Sequence, residues 1–127
     1  MTKKIFIIDV DGTVCEDVLN EEGTKRMANA KPYHDVIKQI GRWFDEGHLI
    51  CFFTARTTEH KSVTEEWLKR NDVKYHQIIY GKPRRNSYHA EYHFIDNATV
   101  RATTFRGKVG EFVTKTRQIL VFPDDQA

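Results

Sequence analysis

Two aspartates, Asp9 and Asp11, stand directly after the apolar run Ile5, Phe6, Ile7 and Ile8, and Gly12 turns the chain behind them. Like charges this close repel unless a cation lies between them or one carboxyl holds a proton. Both conditions are useful chemistry: a hard divalent ion takes oxygen ligands, and a carboxyl with a raised pKa serves as a general acid. Three further groups of suitable type follow other apolar runs: Thr54, Lys82 and Asp96. A magnesium ion held by Asp9, Asp96 and a backbone carbonyl would let a phosphate monoester approach. Its oxygens would face the ion, the Lys82 ammonium, the Thr54 hydroxyl and the backbone N–H groups around Asp11 and Gly12. Gly12 leaves no side chain to obstruct that approach.

Such a constellation needs elements that end together. Residues 5–10 form a short apolar run rich in β-branched side chains, uninterrupted up to Asp9, which predicts a strand buried on both faces. Tyr33, Val36, Ile37, Ile40 and Phe44 follow helical spacing, with Pro32 at the start and Gly47 just past the end. Leu49–Phe53 reads as a second strand, and residues 59–70 as a second helix with Val63, Trp67 and Leu68 turned inward. Residues 75–80 and 92–95 read as two more strands. Val109, Phe112, Val113, Thr116 and Leu120 suggest a closing helix, while residues 119–122 also read as a strand. The alternation predicts an α/β fold, a Rossmann-like parallel sheet flanked by helices, with its crevice at the carboxyl ends of the strands. Asp9, Asp11, Thr54, Lys82 and Asp96 all fall there. Singly, each has a plain structural reading as a turn residue, a helix cap or a loop lysine; together they mark a site.

A chain of 127 residues, 39% apolar and 12% aromatic, suits one globular domain, residues 1–127, with a single core. Twenty basic against eighteen acidic residues leave a net charge of +2, too balanced to point to nucleic acid or an acidic membrane surface. Cys15 and Cys51 form no CxxC or Cys/His cluster, so no zinc site is expected, and free thiols in a reducing compartment are. The basic start is followed by an apolar stretch that Asp9 interrupts. Neither a signal peptide nor a membrane span is therefore expected, and the cytoplasm is the expected compartment.

The same residues resemble a known family. "DVDGT" after an apolar run, "FFTAR", "GKP" and "FIDN" are similar, in order, to the four motifs of the haloacid dehalogenase-like (HAD) phosphatase superfamily, spanning residues 5 to about 97. "EEWLKR", "YGKP" and "FIDNATVR" look like the small bacterial and phage members labelled capsule-biosynthesis or sugar-phosphate phosphatases. The resemblance implies a Mg2+-dependent phosphoric monoester hydrolase acting through an aspartyl-phosphate, with a sugar phosphate or similar small metabolite as substrate. It implies Asp9 as nucleophile and Asp11 as acid and base, with a pKa above that of metal-bound Asp9. It places Thr54, Lys82 and Gly12 on the phosphate, and Asp9, Asp11 through its backbone carbonyl, and Asp96 on the metal. Asn97 stands where many relatives carry a second acid, which lowers the charge of the site by one unit. Relatives often insert a cap domain after the first motif or between the second and third. Neither interval has room here, so a capless, open site is expected.

Arg56, Arg84 and Arg85, with Asn97, would rim the phosphate; a solvated basic loop is the plain alternative. Two other functions compete. A phosphatase of nucleic-acid ends or nucleotides would use the arginines for backbone contacts, and a non-catalytic phosphate-binding domain would have dispensed with Asp9 or Asp11. An open site gains from enclosure around a small substrate. Residues 14–31, which include Val18, Leu19 and Met27, read as a flap that reaches a neighbour's site, predicting a homo-oligomer. A monomer that closes the flap over its own site is the alternative.

Overall fold

A computed structural model describes residues 2–105 and the backbone of residues 116–118. They belong to two compact units, Met1–Arg84 and Arg85–Ala127. In the first unit, strands β1 (Ile5–Ile8), β2 (Leu49–Phe53) and β3 (Gln77–Ile79) form a parallel sheet in the order β1-β2-β3. Parallel neighbours need crossover connections. Helices α1 (Gly23–Ala28) and α2 (His34–Asp45) lie between β1 and β2, and α3 (Lys61–Arg70) lies between β2 and β3. The result is the expected α/β arrangement, a Rossmann-like parallel sheet flanked by helices.

Local sequence accounts for the helix ends. After α2, the Gly47 N–H donates to the Phe44 carbonyl and the His48 N–H to the Trp43 carbonyl, with Gly47 at φ +93°. This is the left-handed stop for which glycine is suited. The end of α3 repeats the pattern, with the Asp72 and Val73 N–H groups donating to the Lys69 and Leu68 carbonyls. On their inner faces α2 buries Val36 and Ile40, and α3 buries Thr64, Trp67 and Leu68. Thr64 thus joins the expected inward stripe, more deeply buried than Val63. Positions 64, 67 and 68 follow the helical spacing i, i+3, i+4, and Val63, four residues before Trp67, is half-buried at the edge of the same face.

The first strand departs from expectation. Ile8 is buried, but Ile5 and Ile7 are 68% and 62% exposed. Successive strand residues point to opposite faces. Phe6 stacks on Trp43 of α2 with ring centroids 3.9 Å apart, while on the opposite face Ile5, Ile7, Leu49 and Ile79 are exposed and Cys51 is buried.

Residues 14–31 are likewise not a free flap. Val14, Val18, Met27 and Ala30 are buried within their own unit, and only Leu19 of the expected apolar trio is exposed. The segment is tied down by the Trp67 indole N–H, which donates to the Ala30 carbonyl at 3.0 Å. Its apolar side chains Val14, Val18, Met27 and Ala30 complete the core of the first unit.

In the second unit β4 (Arg101–Thr103) pairs antiparallel with β5 (Thr116–Gln118). Residues 92–95 form no strand. Tyr92 stacks on Phe94, and Ile95 is 78% exposed; an apolar run becomes a strand only where a neighbour supplies the ladder of hydrogen bonds. Thr116 lies in a strand and not in a helix. The rest of the expected closing helix, and residues 119–122, lie outside the described residues. Among the described residues no helix is long and apolar enough to cross a membrane.

Candidate functional site

The loop that leaves β1 is pinned by its own backbone. The Thr13 and Val14 N–H groups donate to the Val10 carbonyl, and the Gly12 N–H donates to the Cys15 carbonyl at 2.8 Å. Val10, Val14 and Cys15 are buried beneath it. Gly12 adopts φ +82°, a left-handed conformation that L side chains rarely take. A Cβ added there would meet Asp17 only at ordinary contact distance, 3.7 Å or more. The turn by itself therefore requires glycine here. Its N–H, expected to face a phosphate, is already used by Cys15.

Asp9 and Lys82 meet at the strand ends. The Lys82 ammonium lies 3.6 Å from Asp9 Oδ1 and 5.8 Å from the centroid of the Phe53 ring. Backbone hydrogen bonds explain why a lysine beyond β3 arrives there. The Thr54 N–H donates to the Ile79 carbonyl, the Lys82 N–H to the Thr54 carbonyl, and the Gly81 N–H to the Arg56 carbonyl, each at 2.9 Å. The turns after β2 and β3 are thus laced together. Burial pushes the Asp9 carboxyl pKa up, Lys82 and the Val10 N–H pull it down, and the Asp11 charge adds to the rise; the net shift is upward.

Asp11 has a different partner. Arg56 Nε donates to Asp11 Oδ2 at 3.0 Å and Arg56 Nη2 to Oδ1 at 2.7 Å, a two-pronged ion pair. The third guanidinium nitrogen, Nη1, donates to Thr64 Oγ1 at 3.0 Å. Arg56 is only 2% exposed. It is not a rim arginine: the guanidinium is enclosed and spent on Asp11 and Thr64. Thr54 is also buried, and its Oγ1 accepts the Arg56 N–H at 3.1 Å. Cys15 Sγ lies 3.9 Å from Asp11 Oδ1, and burial, followed by the Asp11 charge, pushes its thiol pKa up to about 12.

Two participants were missed in the sequence. Thr64 was passed over in favour of Val63, although its spacing to Trp67 and Leu68 was there to be read. Asn20 lies far from any motif; its Nδ2 donates to the Ala55 carbonyl at 3.0 Å, and its Oδ1 is buried without a hydrogen-bond partner among the described residues. Nothing in the sequence signalled that link.

The remaining expected residues are exposed. Arg84 ends the first unit. Arg85, in the second, donates through Nη1 to the Ala90 carbonyl at 3.1 Å. Asp96 and Asn97 also belong to the second unit, in irregular backbone where Asp96 Oδ1 accepts the Ala98 N–H at 3.0 Å. Asp96 does not end a strand. Among the described residues no three His, Cys, Asp or Glu side chains cluster as a metal site. The oxygen donors of the first unit nevertheless suit a hard divalent ion. Asp9 is a part-exposed carboxylate whose charge burial penalises, and a cation would offset that penalty. Both Asp11 carboxylate oxygens are taken by Arg56, so Asp11 would contribute its backbone carbonyl.

No family model matches the chain, and no curated protein does. Two solved structures are similar to it. The crystal structure of an MCSG target from Vibrio cholerae has a TM-score of 0.55 and 29% identity, covering 75% of this chain and 80% of that one. A chain of the Pnkp1/Rnl/Hen1 complex has a TM-score of 0.53 and 17% identity, covering 68% of this chain and 31% of that one. The second likeness is one of fold alone.

Proposed function

We propose that this chain is a capless HAD-type phosphatase that hydrolyses a phosphate monoester of a small metabolite, a sugar phosphate foremost, with the help of Mg2+. One observation carries the proposal: Asp9 and Lys82 lie 3.6 Å apart at the strand ends, beside an Asp11 that Arg56 holds by both oxygens. The Asp9 carboxylate attacks phosphorus in line. As its O–P bond forms, the bond to the leaving alcohol breaks; Asp11, entering this step as the carboxylic acid, hands its proton to the departing oxygen and is left as the carboxylate that pairs with Arg56. Lys82, already against the attacking carboxylate, offsets negative charge on the transferring phosphoryl group. Water then attacks the phosphorus of the aspartyl-phosphate, Asp11 takes its proton, and phosphate leaves with Asp9 regenerated. Mg2+, when bound, supplies positive charge to the phosphoryl oxygens. Asp9 and the Asp11 carbonyl would hold it.

The test is phosphate release from p-nitrophenyl phosphate and a panel of sugar phosphates. Mg2+ should support release, EDTA should stop it, and Ca2+ should replace Mg2+ poorly because its looser coordination spoils in-line geometry. No release from any ester with any divalent ion would refute the proposal. Hydrolysis confined to oligonucleotide ends, and falling steeply with salt, would shift the substrate to nucleic acid.

A further inference from the structure

An arginine that is 2% exposed is costly to keep charged unless every prong is paired. Arg56 reaches that state by bridging three elements. Its backbone lies in the turn after β2, with its N–H on Thr54 Oγ1 and its carbonyl accepting from Gly81. Its Nε and Nη2 reach the loop after β1 at Asp11, and its Nη1 reaches α3 at Thr64. Thr64 is 1% exposed and shares its helix face with the buried Trp67 and Leu68. The helix is fixed by that packing, so the Thr64 hydroxyl is a rigid post against which the guanidinium leans.

We infer that Thr64 and Arg56 are positioning residues for proton transfer: Thr64 orients Arg56, and Arg56 fixes the plane in which Asp11 meets the leaving oxygen. This rests on the phosphatase proposal and extends it to residues that touch no substrate. Proton transfer requires the carboxyl within hydrogen-bond reach of the oxygen it serves, and a misplacement of about 1 Å costs up to ~100-fold. Asp9 has its own side-chain partner in Lys82, which touches neither the Arg56 guanidinium nor Thr64 through any of the contacts above. Loosening Thr64 should therefore impair protonation of the leaving group and spare nucleophilic attack.

The experiment compares kcat/KM for two esters in wild type, Thr64→Val and Thr64→Ser. An alkyl phosphate needs its leaving oxygen protonated; p-nitrophenolate leaves without help. Thr64→Val keeps the shape of the side chain but removes the acceptor of Arg56 Nη1. It should lower kcat/KM about tenfold or more for the alkyl ester and less than about threefold for p-nitrophenyl phosphate. Thr64→Ser, which keeps the hydroxyl, should restore most of the loss. Thermal melts establish that each variant is folded; if the valine variant is not, Thr64→Ala carries the same expectation. Equal losses on both esters, no loss, or no rescue by serine would overturn the inference and leave the phosphatase proposal standing. A wild-type protein that releases phosphate from no ester with any divalent ion would overturn the two together.

Discussion

Replacing Arg56 by methionine keeps an apolar stem of similar length and deletes the charge together with the donors that serve Asp11 and Thr64. The Asp11 carboxylate, 14% exposed, then loses its two-pronged cation and has little water to replace it. Removing one partner of a buried pair costs about 3–5 kcal/mol, mostly because the other charge is stranded. The residual exposure of Asp11 puts the expected value near the lower end, about 3 kcal/mol. With a urea slope of about 1.5 kcal/mol/M, the unfolding midpoint should fall by ~2 M. The chain has two tryptophans, Trp43 and Trp67, and both belong to the first unit, so their fluorescence follows unfolding of the unit that holds the pair. Adding Asp11→Asn to Arg56→Met removes the stranded charge. The double variant should then be more stable than the sum of the single effects predicts, by about 2 kcal/mol. A cost for Arg56→Met below about 1 kcal/mol, or simple additivity of the two changes, would refute the account of Asp11 and Arg56 as a buried, mutually dependent pair.

Asp9→Asn should abolish turnover without lowering the unfolding midpoint of chelator-treated protein, because burial already penalises the charge it removes; a markedly less stable variant would contradict that. Cys15 and Cys51 are buried and burial raises both thiol pKa values, that of Cys15 to about 12, so a thiol reagent at pH 8 should modify neither until the protein unfolds. Rapid labelling of either in native protein would overturn this. Glu16 accepts from Arg26 Nη1 and the Lys31 N–H, both at 2.8 Å, which holds its carboxyl pKa below the ordinary value. A depressed folded pKa means that the stabilisation is present above the ordinary value of 4.5 and is lost as pH falls through the folded pKa. Glu16→Gln should therefore lose less of its unfolding midpoint between pH 7 and pH 3 than wild type does, and an unchanged difference would show that the contact contributes nothing.

Much of the first unit could be read along the chain because its signals are local. Leu49–Phe53 is a strand with the bounds expected from its apolar run. The helix expected from Tyr33 to Phe44 is α2, and its glycine stop works through two backbone hydrogen bonds. These features depend on periodicity and backbone dihedral preference, which residues carry with them. What failed depended on neighbours. Residues 92–95 have the composition of a strand, but a ladder needs a partner that composition does not name. The apolar residues of 14–31 were recognised, yet whether they face a second subunit or their own core is a question of where α3 lies.

The site divides along the same line. The sequence by itself determined which groups stand at the strand ends, since Asp9, Thr54 and Lys82 each follow an apolar run that ends where a strand must. Only the tertiary structure decided what each of them touches. Arg56 looked like a substrate-facing cation because it follows Thr54 and charges usually face water. The fold brings a helix hydroxyl and a loop carboxylate to its three nitrogens and closes it from solvent. Gly12 looked like clearance for an anion, and the fold adds a positive φ that demands glycine there. Residue type and spacing along one element are encoded in order, but a hydrogen bond across 45 positions, such as Arg56 to Asp11, exists only once packing has brought the two elements together.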